Sequence, residues 1–210
     1  MSDFKENLRK AAGHLSENDS VLRPVIESTT LPTFVPHNDY YGALVNSIIG
    51  QQLSVKAAAS IKKKFIGLFD DKFPSPEEIL TKSAEDLRAI GFSYAKAKYV
   101  QDLAQHVIDG QVLFDKLDEQ SNEEIIAELT AVKGIGEWTA HMFLIFSMGR
   151  LDVLPVGDLG IKNGIRALYG FKDIPTPEQM REIAVKYSWH PYESIACWYV
   201  WQSLKNEPDL

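Results

Sequence analysis

Cysteine is nearly missing from this chain. Cys197 is the only one in 210 residues. That excludes an internal disulfide, a four-cysteine zinc site and a cysteine-held iron–sulfur cluster, and it fits a reducing, intracellular setting. No apolar run approaches the length needed to span a bilayer. The opening Met1-Ser2-Asp3-Phe4-Lys5-Glu6 lacks the basic-then-apolar order of a signal peptide. The expectation is a cytoplasmic protein with no membrane partner. The five histidines, His14, His37, His106, His141 and His190, show no metal-ligand spacing, and no Walker loop, GxGxxG or GxSxG occurs. Positive charge is also in deficit: 22 Lys and Arg stand against 29 Asp and Glu, a net charge of −7. In bulk this argues against a nucleic-acid partner, but phosphate binding depends on local basic patches and not on the total.

What is present is an ordinary globular composition, 45% hydrophobic and 24% charged. Its pattern is helical almost throughout. Tyr99, Val100, Leu103, Val107 and Ile108 fall on one face of a helix over 94–109, stopped by Gly110. Ser83 with Asp86, and Ser121 with Glu124, read as capping boxes opening helices over 83–90 and 121–131. Further helices are expected over 3–15, 39–50, 54–69, 136–148, 159–169, 177–187 and 192–204. Pro32, Pro36, Pro74, Pro76, Pro155, Pro175 and Pro177 mark the loops. Strand-like alternation is scarce. The fold class is therefore all-α, with residues 1–38 (one helix and a proline-punctuated stretch) packing onto a main domain over 39–210. A division of that domain into two helical lobes is not visible in composition.

The most informative segment is Leu129-Thr130-Ala131-Val132-Lys133-Gly134-Ile135-Gly136-Glu137-Trp138-Thr139-Ala140. A helix ends near Val132, a Gly-Ile-Gly turn follows, and a second helix begins at once. Gly134 and Gly136 allow positive φ and the close approach of another backbone. N–H groups at the new helix start, helped by the helix dipole, offer an anion site without a basic side chain. Lys133 sits at its lip. A plain Schellman stop between packed helices is the competing reading. About twenty residues later Leu154-Pro155-Val156-Gly157-Asp158 opens another helix. Taken alone, Asp158 is an N-cap contributing ~1 kcal/mol.

These blocks, with Ile48-Ile49-Gly50-Gln51-Gln52-Leu53-Ser54 and Val156-Gly157-Asp158-Leu159-Gly160-Ile161-Lys162, resemble the helix-hairpin-helix DNA glycosylases over residues 40–204. Within them the chain looks most like the 3-methyladenine DNA glycosylase II branch, in its compact form without the extra N-terminal α/β domain. The resemblance implies two helical lobes with a cleft between them. It implies a monofunctional hydrolase of base excision repair that cuts the N-glycosidic bond of alkylated purines such as 3-methyladenine and 7-methylguanine. Other substrates for the same chemistry are hypoxanthine, uracil and oxidised purines. A noncatalytic DNA-binding helical module and a helical interaction protein are the readings outside that chemistry.

The resemblance also implies roles for particular residues. Asp158 is the catalytic carboxylate, because breaking the bond builds positive charge on the deoxyribose, which a fixed anion stabilises. Bifunctional relatives carry a lysine nucleophile where this chain has Trp138, so no strand cleavage is expected. A target base must leave the duplex stack, and Trp138 and Trp201 are the expected stacking surfaces for it, with Met142 nearby where relatives carry an aromatic. Core packing is the alternative for Trp201, and the stronger one for Trp189 and Tyr192. Tyr94 falls where an intercalating side chain is expected, or it simply starts a helix. Gln51 and Gln52 contact the strand around the gap, or cap locally. Gly134, Gly136 and Lys133 meet the DNA backbone, with Lys56, Lys62, Lys63, Lys64, Lys96, Lys98, Lys162 and Arg166 as further candidates for a phosphate-facing strip. The carbonyls of Thr130, Val132 and Ile135 match positions that hold a monovalent Na+ or K+ in similar hairpins. No other cofactor is required. The partner is double-stranded damaged DNA, a monomer suffices, and the location is the nucleoid or, in a eukaryote, the nucleus.

Overall fold

The computed structural model describes residues 2–204, and they form helices and loops without a strand. In chain order the α-helices are α1 (Ser2–Asn18), α2 (Arg23–Ser28), α3 (Tyr40–Gly50), α4 (Val55–Gly67), α5 (Pro76–Leu80), α6 (Ala84–Ala89), α7 (Tyr94–Ile108), α8 (Asn122–Thr130), α9 (Glu137–Phe143), α10 (Leu159–Tyr169), α11 (Pro177–Lys186) and α12 (Glu193–Ser203). A 3₁₀ turn covers Leu117–Glu119, and a π-helical turn, Leu144–Met148, continues α9. No helix among the described residues is long and apolar enough to cross a membrane.

The helix starts follow local chemistry. Ser83 and Ser121 form the expected capping boxes with Asp86 and Glu124, and Ser75 and Thr176 form two more with Glu78 and Gln179. The expected helix over 159–169 has the observed bounds. The short α2 and α5, at six and five residues, carry too few residues for a hydrophobic period. The expected helix over 136–148 is continuous but changes at Leu144 to the wider π winding, which places Phe146 out of α-helical phase.

The chain divides into two compact units: one holds the described residues of Met1–Pro36 and Leu144–Leu210, the other His37–Phe143. Residues of 2–36 therefore share a core with the C-terminal part of the described chain. Leu8, Ala11, Leu15 and Leu22 are buried in one cluster with Ile161, Ile165, Met180, Trp189, Ile195, Cys197, Tyr199 and Val200. Asp19, wholly buried, ties this core together. One of its carboxylate oxygens accepts the N–H groups of Val21 and Leu22, each at 2.9 Å. The other accepts the Tyr169 hydroxyl at 2.6 Å and the Trp189 indole at 2.8 Å. A buried charge is tolerated where hydrogen bonds replace its hydration. Trp189 is thus a core residue.

The second unit buries Leu44, Val45, Ile48 and Ile49 of α3, Phe65 of α4, Val100, Leu103 and Ala104 of α7, and Ile125 and Leu129 of α8. Phe65 stacks on Phe92 with ring centroids 5.5 Å apart. Val132 and Ile135 of the hairpin are buried in this unit too, so the turn is anchored by its apolar residues while Lys133 and Gly136 stay at the surface.

Candidate active site

Asp158 is the N-cap of α10. Its Oδ1 accepts the Ile161 N–H at 2.8 Å and the Trp201 Nε1–H at 3.0 Å. The residue is only 8% exposed. Two fixed donors thus orient the carboxyl group at the helix start. Its backbone approach is fixed as well. Ser194, at the start of α12, donates its hydroxyl to Arg150 O at 2.8 Å and accepts the Val153 N–H at 3.1 Å, while its own N–H reaches Leu151 O at 2.9 Å. The loop then tightens, with Asp158 N–H on Pro155 O at 2.9 Å.

Trp201 reaches Asp158 because α10 presents no side chain where α12 crosses it. A Cβ on Gly164 would overlap the Val200 side chain and lie 2.9 Å from its carbonyl oxygen. A Cβ on Gly160 would lie 3.1 Å from both Asp158 Oδ1 and Trp201 Nε1. Gly160 and Gly164 were not among the expected site residues, although their spacing of four on one helix face is a sequence signal. Phe146, on the π turn, stacks on Trp201 with centroids 5.9 Å apart and planes 23° apart, and Phe34 meets Phe146 edge-on at 5.1 Å. The change of helical winding hides Phe146 from periodicity. Cys197 is fully buried on α12; burial raises its thiol well above the ordinary value, with Asp158 and Glu193 adding to the effect, so it is held neutral. A cavity of about 650 Å³ in the same unit is lined by Phe4, Leu8, Leu31, Phe34 and Val35, without Asp158.

The hairpin lies in the other unit. Ile135 N–H closes the turn on Val132 O at 3.1 Å, and Ala140 N–H bonds Gly136 O at 3.0 Å as α9 begins. Gly134 takes φ +86°, whereas Gly136 is outside the positive-φ region. Of the two glycines that allow positive φ, only Gly134 uses it. The close neighbour of Gly134 is not another backbone, as expected, but the Tyr99 side chain, whose ring a Cβ would overlap; nothing lies within 4 Å of a Cβ on Gly136. Gln51 Nε2 donates to Gly134 O at 2.7 Å, so its amide is turned onto the hairpin. Lys133 pairs with Asp102 through its ammonium at 2.9 Å and its N–H at 2.8 Å. Partial burial pushes the Asp102 carboxyl up, but the bonds from Lys133 and the nearby His106 outweigh this and hold it below the ordinary carboxylate value. Lys96 donates its ammonium to Ile49 O at 2.7 Å, and desolvation lowers its pKa. It caps α3 instead of joining an outward basic strip.

Trp138 is 49% exposed in the first turn of α9, and Met142, one turn on, is half-buried. Tyr94, 54% exposed at the start of α7, is covered by the Arg88 guanidinium 3.9 Å from its ring centroid. Gln52 is exposed with φ +57°, a strained value outside glycine. It turns the chain so that Leu53 is 37% and Val55 88% exposed. These two apolar residues were missed as site candidates, because exposure of a leucine is not readable from periodicity. Of the three carbonyls expected to hold a monovalent cation, Val132 O accepts one turn bond and keeps a second lone pair.

Residues 45–188 match the HhH-GPD superfamily base excision DNA repair protein family. DNA-3-methyladenine glycosylase 1 of Schizosaccharomyces pombe is 36% identical over 206 residues, covering 95% of this chain and 89% of that protein. A crystal structure of a DNA-3-methyladenine glycosidase from Bacillus halodurans superposes with a TM-score of 0.83 at 36% identity, covering 93% of this chain and 89% of that one. A 3-methyladenine DNA glycosylase of Schizosaccharomyces pombe in complex with abasic DNA superposes with a TM-score of 0.77 at 35% identity, over 93% and 97% of the two chains. The hairpin and the buried aspartate are thus set in a shared architecture, and the chain belongs to the HhH-GPD superfamily of base excision DNA repair proteins.

Proposed function

We propose that this protein is a monofunctional DNA glycosylase of base excision repair, which hydrolyses the N-glycosidic bond of alkylated purines in double-stranded DNA and acts as a monomer. The observation that carries the reading is Asp158: a buried carboxylate at a helix start, oriented by the Ile161 N–H and the Trp201 indole. As the bond from C1′ to the base nitrogen lengthens, its electron pair leaves with the base and the sugar becomes cationic. A carboxylate already fixed nearby stabilises that cation without reorganisation. Water then adds its oxygen to C1′, passes one proton to solvent, and an abasic site remains. An N-alkylated purine carries positive charge before cleavage, so it departs neutral and needs little protonation by the protein. The absence of lysine at position 138 supports hydrolysis without strand cleavage.

Trp201 and Trp138 are assigned to stacking on the extruded base, at ~1–3 kcal/mol per base, with Met142 tuning the lesions accepted. Gly134, Gly136 and Lys133 are assigned to the DNA backbone, and Gln52 to the strand around the gap. Gln51 serves by holding the hairpin. A monovalent cation would be held by the carbonyls of Thr130, Val132 and Ile135, where its charge would attract phosphate. Two side chains compete for the place of the flipped base. Tyr94 has the expected sequence position; Leu53 is an exposed apolar side chain beside Gln51, which is itself bonded to the hairpin. The test is release of 3-methyladenine and 7-methylguanine from alkylated duplex, wild type against Asp158→Asn. Loss of release in the variant is expected. DNA binding without release by the wild type would favour a noncatalytic module, and release of hypoxanthine, uracil or oxidised guanine alone would move the substrate.

A further inference from the structure

Two residues of the hairpin, Lys133 and Gly134, are gripped by three groups outside it. Asp102 of α7 takes the Lys133 N–H on Oδ2 and the Lys133 ammonium on Oδ1, at 2.8 and 2.9 Å. Tyr99, three residues earlier on the same helix face, fills the space that a Cβ on Gly134 would need. Gln51, the C-cap of α3, takes hold of Gly134 O at 2.7 Å. A carboxylate is an unexpected neighbour for an element that meets phosphate. It neutralises the hairpin lysine and adds repulsion. The side chain of Asp102 is only 16% exposed, whereas that of Lys133 is 75% exposed, so the anion lies beneath the turn, with the ammonium above it at the surface.

We propose that Asp102 is a positioning residue for DNA binding: with Tyr99 and Gln51 it fixes the main chain of the hairpin before DNA arrives. This rests on the reading of the hairpin as the DNA-backbone element. The repulsion that it adds is outweighed by geometry. Main-chain donors bind phosphate well only when their directions are set in advance, because ordering a mobile turn on binding costs affinity.

The test is duplex affinity by fluorescence anisotropy over a range of NaCl concentrations, together with the single-turnover rate of base release at saturating protein. Asp102→Ala is expected to weaken binding about tenfold with the saturated rate unchanged, the loss expected for one charge-assisted hydrogen bond. Lys133→Ala removes the ammonium and leaves the N–H latch. Adding Asp102→Ala to it is expected to cost several-fold more affinity. Gln51→Ala, which leaves both charges in place, is expected to weaken binding without changing the salt slope. Circular dichroism and Tm check folding, and should Asp102→Ala unfold, Asp102→Asn and Gln51→Ala carry the test. Tighter binding by Asp102→Ala would show that the carboxylate only masks Lys133 and would overturn the proposal, as would unchanged binding, or a loss that vanishes in the Lys133→Ala background. A wild type that neither binds duplex nor releases a base would instead sink the glycosylase reading.

Discussion

The Trp201 indole donates to the Asp158 carboxylate at 3.0 Å across 43 positions of sequence. One residue thereby has two tasks: its N–H orients the carboxylate, while its ring, stacked on Phe146, is the proposed surface for the extruded base.

Asp158→Asn keeps an N-cap acceptor for the Ile161 N–H and an oxygen for the Trp201 indole. Its Tm is expected to stay within a few degrees of wild type, while base release falls by about a hundredfold or more, the scale for removing a preorganised charge from a transition state. Single-turnover release and thermal melting check both. Full release by the variant would remove Asp158 from the chemistry.

Trp201→Phe retains an aromatic face and loses the indole N–H. Release is expected to slow about tenfold, the contribution of one hydrogen bond to a charged group, with a small change in KM. Trp201→Ala should raise KM as well, because stacking goes with the ring. Equal kinetics for the two variants would show that the N–H is immaterial.

Gly134→Ala places a methyl at φ +86° and against the Tyr99 ring. It is expected to destabilise the protein by about 2 kcal/mol or more and to weaken duplex binding. Gly136→Ala meets open space without positive φ, and its expected cost is about 1 kcal/mol, that of a poorer cap. Denaturant melts of the pair distinguish the two glycines; equal costs would refute the difference.

Leu53→Ala and Tyr94→Ala separate the candidates for the wedge. On the Leu53 reading, Leu53→Ala is expected to reduce release from a lesion in duplex DNA about tenfold, the effect of losing an apolar side chain that replaces stacking. Release from single-stranded substrate should change little. Tyr94→Ala, which exposes Arg88, should leave both rates within a factor of about two. The opposite order would return the role to Tyr94.

His141 is buried in α9, and desolvation lowers its pKa below 6.5, opposed by the Glu137 carboxylate 3.8 Å away. A histidine with a depressed folded pKa takes up its proton more readily when unfolded. Its contribution to stability is therefore complete above about pH 6.5 and declines as pH falls below that value toward the folded pKa. Tm should drop between pH 7 and 5, and drop less in His141→Gln. Parallel profiles would exclude His141 as the source.

How much of this was legible in the sequence depended on the range of the interaction. Ser83, Ser121 and Asp158 cap helices with partners three residues away, so their geometry is encoded locally and the helix starts could be read directly. The all-α class and the Lys133–Gly136 turn were legible for the same reason. Phe146 was not, because the π turn that aims it breaks the period that reading relies on. The alliance of residues 2–36 with the C-terminal part of the described chain was not legible either. It rests on Asp19 meeting Tyr169 and Trp189 150 and 170 positions away, and no local pattern specifies a partner at that distance. The sequence alone determined the longer helices and the residue types that bear chemistry. Only tertiary packing decided that Gly160 and Gly164 let α12 bring Trp201 to Asp158, and that Asp102, Tyr99 and Gln51 converge on one turn, because burial and steric fit act between segments that the chain keeps far apart.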